Sequence, residues 1–381
     1  MATGAPPADG DTRVKILHIQ RVGGIGGSER HVLELLPALR ARGIDAGFLG
    51  LDDTSAAPEP FYDVLTEREV PIQRLACPRD LDPRLVGGVI RAVRAFRPDI
   101  VHTHLIHADA YGAAAATRAR TALISTKHND DPFRSGRWRH LERLLTRRAA
   151  SVICITEALA RFNREVVGLP AGKLRVVHYG LDASPEAWGP PGGPDLPAET
   201  PVLVAVCRLV PQKGVDVGVE ALARVRERHP TAHLVVLGEG PLRAELAELA
   251  ARRGVGAAVS LPGRVGDVAW WLRRALIVVH PARWEGFGLA LLEAMLCEKP
   301  VVAARVSSIP EIVLGGETGL LVSPDDPARM AAAVNELLDD PLRAAAMGQA
   351  GRARALAEFS VARMAERTAS VYEEALSSPR R

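Results

Sequence analysis

The sequence predicts an α/β protein built from two doubly wound domains, and three observations carry that prediction. Its 381 residues are about twice the ~100–200 of a single domain. Two successive series of β-branched apolar runs alternate with helical stretches, the pattern of parallel sheets covered by helices. Between the series, Pro185, Pro190, Pro191, Pro194, Pro197 and Pro201 lie among Gly189, Gly192 and Gly193, a composition that supports neither helix nor strand. The expected division is a first domain over 1–183, a linker over 184–200 and a second domain over 201–360. Residues 361–381 are expected to form a helix packing back on the first domain.

In the first series, residues 14–20 read as a strand ending in Gly23-Gly24-Ile25-Gly26-Gly27, after which Ser28 is placed to cap a helix running to about 42. Strands follow at 46–51, 100–104, 122–126, 152–155 and 174–178, and helices around 84–96, 108–120, 136–148 and 156–167. In the second series, strands are expected at 202–207, 232–237, 257–261, 276–280 and 300–304. Its helices are expected at 215–228, 241–253, 289–297, 328–338 and 342–359. Sheets of this kind bind ligands beyond the carboxyl ends of their strands.

Composition narrows the function. Hydrophobic residues at 47% and charged residues at 24% match folded soluble proteins and exclude disordered or collagenous chains. Apolar runs such as 275–279 fall far short of the ~20 residues of a membrane-spanning helix. Residues 1–12 lack the basic start and apolar stretch of an export signal. Cys77, Cys154, Cys207 and Cys297 are too scattered for a disulfide framework or a zinc site. A reducing, cytoplasmic setting is the expectation.

Net charge is only +3, yet Arg134, Arg137, Arg139, Arg143, Arg147 and Arg148 face a single acid, Glu142. Such a segment suits an anionic membrane surface or acceptor, and equally a solvated helix face. Without interleaved aromatic residues on a long basic stripe, nucleic acid is disfavoured.

Several motifs fail. The first glycine loop places Glu29 where a dinucleotide fingerprint needs its third glycine, and no acid follows at the right strand end. Gly238-Glu239-Gly240 is similarly incomplete, and no phosphate-binding P-loop sequence exists. Asp9/Asp11 and Asp80/Asp82 have metal-bridging spacing that is common by accident. His102 and His104 alternate on a strand and point to one face, with His107 close behind. Zinc is the weaker reading of that trio, because no carboxylate or thiolate nearby completes a ligand set. A packed histidine pair, or a functional histidine at the strand's carboxyl end, remains.

The most informative segment is Trp284-Glu285-Gly286-Phe287-Gly288-Leu289-Ala290-Leu291-Leu292-Glu293. Its glycines follow a strand and open a helix, where unpaired backbone N–H groups can hold a phosphate. At a rise of ~1.5 Å per helical residue, Glu285 and Glu293 are too far apart to share a proton. Carboxylates accept hydrogen bonds from vicinal hydroxyls, so one acid on each side of a diphosphate suits a nucleotide sugar.

With these residues the sequence resembles the retaining glycosyltransferases of family four, which have the two-Rossmann-domain GT-B architecture. The Glu285-x7-Glu293 motif is their signature. The resemblance also covers Gly23 to Gly27, Val101-His102-Thr103-His104, Arg208-Leu209-Val210-Pro211-Gln212-Lys213-Gly214, and Ile309-Pro310-Glu311 followed by Gly319-Leu320-Leu321-Val322.

The resemblance implies a hexosyl transfer from a nucleotide diphosphate sugar to a hydroxyl acceptor, which includes glycans, small molecules and lipid-linked acceptors, with retention and without a metal or other cofactor. Arg208 and Lys213 would grip the diphosphate, Glu285 the donor sugar and Glu293 the ribose, with Gly286, Phe287, Gly288 and Leu289 forming the loop between. His104 would contact the donor sugar near the reacting carbon, although spacing alone leaves His107 open for that role. Gly24, Gly26 and Gly27 would allow close approach of diphosphate or acceptor, and His128 and Asn129 are further candidates. Glu311 matches a motif glutamate and equally fits a capping role. A nucleotide-sugar epimerase of the same architecture and a non-catalytic nucleotide-sugar-binding protein are the alternatives.

Overall fold

A computed structural model describes residues 13–377 apart from 57, 80–81, 131–135, 137 and 183–190. Asp9, Asp11, Asp80, Arg134, Arg137 and the first part of the proline-rich linker therefore lie outside the described residues.

The first sheet comprises β1 (Lys15–Val22), β2 (Asp45–Asp52), β3 (Ile72–Ala76), β4 (Ile100–His104), β5 (Ala122–Lys127), β6 (Ser151–Cys154) and β7 (Leu174–Val176), in the order β3-β2-β1-β4-β5-β6-β7. The β1–β2, β1–β4, β2–β3 and β4–β5 pairs are parallel. Its helices are α1 (Gly27–Ala41), α2 (Glu59–Glu67), α3 (Leu85–Phe96), α4 (Leu105–Ala119), α5 (Trp138–Thr146) and α6 (Glu157–Phe162). β4 is buried along its whole length, so its two histidines belong to the interior.

The second sheet is parallel throughout, in the order β10-β9-β8-β11-β12-β13. Its strands are β8 (Val202–Val206), β9 (His233–Leu237), β10 (Val259–Gly263), β11 (Ile277–His280), β12 (Val301–Ala304) and β13 (Gly319–Val322). Helices α7 (Val215–Val225), α8 (Arg243–Arg252), α9 (Val268–Arg274), α10 (Leu289–Leu296), α11 (Ile309–Ile312), α12 (Pro327–Asp339), α13 (Pro341–Glu358) and α14 (Val361–Ser377) complete the chain. One core joins Leu203, Val236 and Val302 of the strands to Leu222 of α7 and Val334 of α12.

The chain divides into two compact units. The first comprises 1–126, 141–153 and 365–381, and the second 127–140 and 154–364. The described part of the linker is fastened to α9 within the second unit. The Trp271 indole donates to the carbonyls of Pro191 and Gly192 at 3.1 and 3.0 Å, and Arg274 donates to those of Pro197 and Ala198 at 2.7 and 2.9 Å.

Two local expectations need correction. Gly26, not Ser28, is the N-cap of α1, because the Glu29 carboxylate accepts the Gly26 N–H at 3.0 Å and starts the helix two residues sooner. α4 begins directly after His104 rather than at 108, with Leu105 held at φ +68°.

Candidate functional site

Residues 207–214 and 280–288 form two loops at the carboxyl ends of β8 and β11, and backbone contacts lock one against the other. Arg283 N–H donates to the Gln212 carbonyl at 2.8 Å, and Gln212 Nε2 donates to the Trp284 carbonyl at 3.1 Å. At Gly214, which precedes α7 with φ +58°, a Cβ would stand 2.1 Å from the Pro281 carbonyl oxygen. Only glycine fits that turn and that approach. Gly238 and Gly240 serve the same packing, where a Cβ would meet the carbonyls of Cys207 and Leu209 at 2.1 and 2.3 Å.

The loops bring Lys213 and Glu285 together, Nζ to Oε2, at 2.5 Å. His280 Nε2, at the end of β11, meets the same carboxylate oxygen at 3.0 Å. Burial opposes the charge on Glu285, but the Lys213 ammonium and the His280 hydrogen bond outweigh it and hold the carboxyl down to about 2. Glu285 is only 8% exposed, which makes it an ionised, oriented acid and not a loop acid in solvent. Arg208 differs. It is exposed, and among the described residues its guanidinium has no ion-pair or hydrogen-bond partner.

Beyond Glu285 the chain turns into α10 through Gly288 at φ +97°, which leaves the amide groups of Leu289 and Ala290 without intrahelical partners, the Leu291 N–H already donating to the Gly288 carbonyl at 2.9 Å. Ser308 Oγ lies 3.0 and 3.1 Å from the carbonyl oxygens of Glu285 and Phe287 and ties the loop down. The Phe287 ring is buried against Tyr179, with centroids 4.9 Å apart. A Cβ on Gly286 would fall 2.4 Å from the His128 carbonyl oxygen, so His128 contributes its backbone here while its ring bonds Tyr179. Asn129 follows, half-buried. Glu293 is 7% exposed on α10, which removes the reading of an exposed helix acid.

Glu311 is engaged elsewhere. Its carboxylate accepts the backbone N–H groups of Glu157 and Ala158 at 2.8 and 2.6 Å, and His178 Nε2 lies 3.1 Å away. It therefore caps the N-terminus of α6 from outside the helix.

In the first unit, His104 is fully buried at the end of β4, with its Nε2 2.9 Å from His18 Nδ1. His107 stands half-buried in the first turn of α4. His102 and His104 have His18 and Tyr372 among their companions. Gly24, Gly26 and Gly27 lie in the turn from β1 into α1, where the Glu29 carboxylate also accepts from Gln20 Nε2 at 2.9 Å.

Sequence reasoning did not reach His18, His280 or Ser308. His280 had one usable signal, its place at a strand's carboxyl end five residues before Glu285. His18 becomes visible only when β1 pairs with β4 and places it opposite His102.

Comparison with known proteins gives the family and the fold. Residues 25–184 match the family model described as Glycosyltransferase Family 4, and residues 193–354 the model described as Glycosyl transferases group 1. A glycogen synthase of Mycobacterium tuberculosis is 30% identical over 91% of both chains. A D-inositol 3-phosphate glycosyltransferase of Thermobispora bispora is 32% identical over 76% of this chain and 74% of its own. Among solved structures, a sucrose-phosphate synthase from Thermosynechococcus elongatus superposes with a TM-score of 0.77 at 25% identity, covering 95% of this chain and 99% of the other. Anabaena HepE in complex with UDP and glucose does so with a TM-score of 0.80 at 23% identity, over 95% and 100%. The chain belongs to glycosyltransferase family 4, with the GT-B fold of two Rossmann-like domains. It is an enzyme that transfers a glycosyl group from a nucleotide sugar.

Proposed function

We propose that the enzyme moves a hexose from a nucleoside diphosphate donor to a hydroxyl acceptor with retention of anomeric configuration and without a metal. The observation that supports this most is the buried Lys213–Glu285 pair between two glycine-led helix starts. An arriving diphosphate takes the Lys213 ammonium and the Arg208 guanidinium, and Glu285 then accepts hydrogen bonds from the sugar hydroxyls. Glu293 binds the ribose. His104 contacts the sugar near its reacting carbon.

As the bond from the anomeric carbon to the phosphate oxygen breaks, negative charge collects on the departing diphosphate. Arg208, Lys213 and the start of α10 stabilise it. The acceptor oxygen bonds to the same face of the anomeric carbon, and its proton passes to the leaving phosphate oxygen. The donor binds mainly within 201–360 and the acceptor mainly within 1–183.

A thermal-shift screen with UDP, GDP, ADP and their sugar conjugates tests the donor class. A ligand at 100 times its Kd adds about 2.7 kcal/mol, a shift of several degrees. One diphosphate series standing out identifies the base; no response to any of them overturns the site. NMR of the fresh product then reads its anomeric configuration, and inversion would refute the retaining mechanism.

Helix α5 supports a lipid-linked acceptor met at an anionic surface in the cytoplasm. Arg139, Arg143, Arg147 and Arg148 are exposed beside Trp138 and Leu144, at 44% and 63% exposure. Among the described residues no helix is long and apolar enough to cross a membrane. Sedimentation with anionic vesicles that is lost at high salt is the expected result, and equal sedimentation with neutral vesicles would dismiss it.

A further inference from the structure

Arg283 stands two residues before Glu285, and it meets the loop of residues 207–214 two residues before Lys213. Its Nη1 donates to the Pro211 carbonyl at 2.8 Å. One step along, the Arg283 N–H donates to the Gln212 carbonyl at 2.8 Å, and Gln212 Nε2 donates to the Trp284 carbonyl at 3.1 Å. A further step brings Lys213 against Glu285. The two loops therefore run side by side in one register, with the Arg283 guanidinium closing one end and the Lys213 ammonium the other.

The two ends are held differently. The Arg283 guanidinium is forked onto Asp216, Nη1 to Oδ1 at 3.0 Å and Nη2 to Oδ2 at 2.6 Å, and its Nε donates to Asp325 Oδ1 at 2.8 Å. Asp216 belongs to the first turn of α7, and Asp325 lies between β13 and α12. One side chain thus fastens the Lys213 loop to the start of α7 and to the β13–α12 connection, all within the second unit. A forked guanidinium–carboxylate pair fixes orientation as well as charge. At the other end, a diphosphate in the proposed site competes with Glu285 for the Lys213 ammonium, so that end opens when the donor is taken up.

We infer that Arg283 is a positioning residue for donor binding, which keeps Lys213 in place on the diphosphate once the Lys213–Glu285 contact has been given up. The Pro211 carbonyl that Arg283 holds also accepts the Gly214 N–H at 3.3 Å and closes the turn of Pro211–Lys213. Displacing that carbonyl displaces the Lys213 backbone with it. Arg283 acts through Lys213, and the inference rests on the role of Lys213 in the proposed function.

Calorimetry of the full-length enzyme with UDP, GDP and ADP, continued with whichever binds most tightly, tests this by a double-mutant cycle. Arg283→Ala should weaken diphosphate binding about 10–100-fold, the scale of one hydrogen bond to a charged group. The variant should still fold, because Asp216 and Asp325 are 40% and 57% exposed and take up water in place of the guanidinium. Lys213→Ala should itself weaken binding, and in that background Arg283→Ala should cost less than about threefold, since the cation it places is gone. Equal losses in both backgrounds would reduce Arg283 to a structural role and overturn the inference with the site intact. Wild-type affinity in Lys213→Ala would overturn the site and the inference together. Arg283→Lys keeps the charge without the fork and should bind nearly as weakly as the alanine variant. Wild-type affinity there would overturn the inference, and if Arg283→Ala does not fold, Arg283→Lys takes its place in the cycle.

Discussion

The Lys213 ammonium and the Glu285 carboxylate, 72 residues apart in sequence, meet at 2.5 Å with side chains only 14% and 10% exposed. The pair ties the two loops together, and under the proposed site an arriving diphosphate has to compete with Glu285 for the cation.

Arg208 and Lys213 should therefore separate in experiment. Arg208→Ala removes an exposed group with no described partner, and stability should stay within about 0.5 kcal/mol. Its kcat/KM should fall on the order of 100-fold if the guanidinium stabilises the leaving diphosphate. Lys213→Ala leaves Glu285 buried without its cation and should cost about 3 kcal/mol as well as activity. Denaturant melts with steady-state kinetics check both, and equal destabilisation by the two changes would contradict the structure.

Acid should expose the same pair. The folded Glu285 carboxyl is depressed from 4.5 to about 2, so its contribution to stability is complete above about pH 4.5 and vanishes as pH falls through 2. Urea unfolding of wild type and Glu285→Gln should give curves that converge across that window. Parallel curves down to pH 2 would show that the carboxylate is not stabilised in the fold.

Gly286→Ala is a test of backbone packing. The added carbon would come within 2.4 Å of the His128 carbonyl oxygen, a contact that must push the Glu285–Phe287 turn or the His128 segment aside. A loss of about 1–3 kcal/mol with weakened donor binding is expected. A donor affinity equal to wild type, measured by calorimetry, would mean the turn absorbs the methyl elsewhere.

Glu311→Ala should act on stability first. It strips two N–H groups at the start of α6 of their acceptor, at a cost of about 0.5–2 kcal/mol. Glu311→Gln keeps one acceptor oxygen and should recover part of the loss. If alanine abolishes turnover with an unchanged melting temperature, the residue is serving the reaction and not the helix.

The sequence made some of this legible and hid the rest for physical reasons. Glu285 to Glu293 stood out because its glycines and acids fall together in one short segment. The strands β1, β4, β8 and β11 announced themselves by β-branched runs. By contrast β3, with the sequence Ile-Gln-Arg-Leu-Ala, is a half-buried edge strand with too little apolar content to register. The four-residue β13 was read only as a motif, and α2 and α9 went unread as elements. The Lys213–Glu285–His280 cluster and the His18–His102 pairing exist only once strands distant in sequence lie side by side.

The bond between His18 and Tyr372 spans 354 positions of the chain. At about 5–20 residues per second, a ribosome delivers Tyr372 roughly 20–70 s after His18. Throughout that interval the imidazoles of β1 and β4 lack their phenolic partner, and a nascent chain stalled in α14 carries that defect permanently. The first unit therefore lacks this bond until the whole of the second unit, through residue 364, has been synthesised.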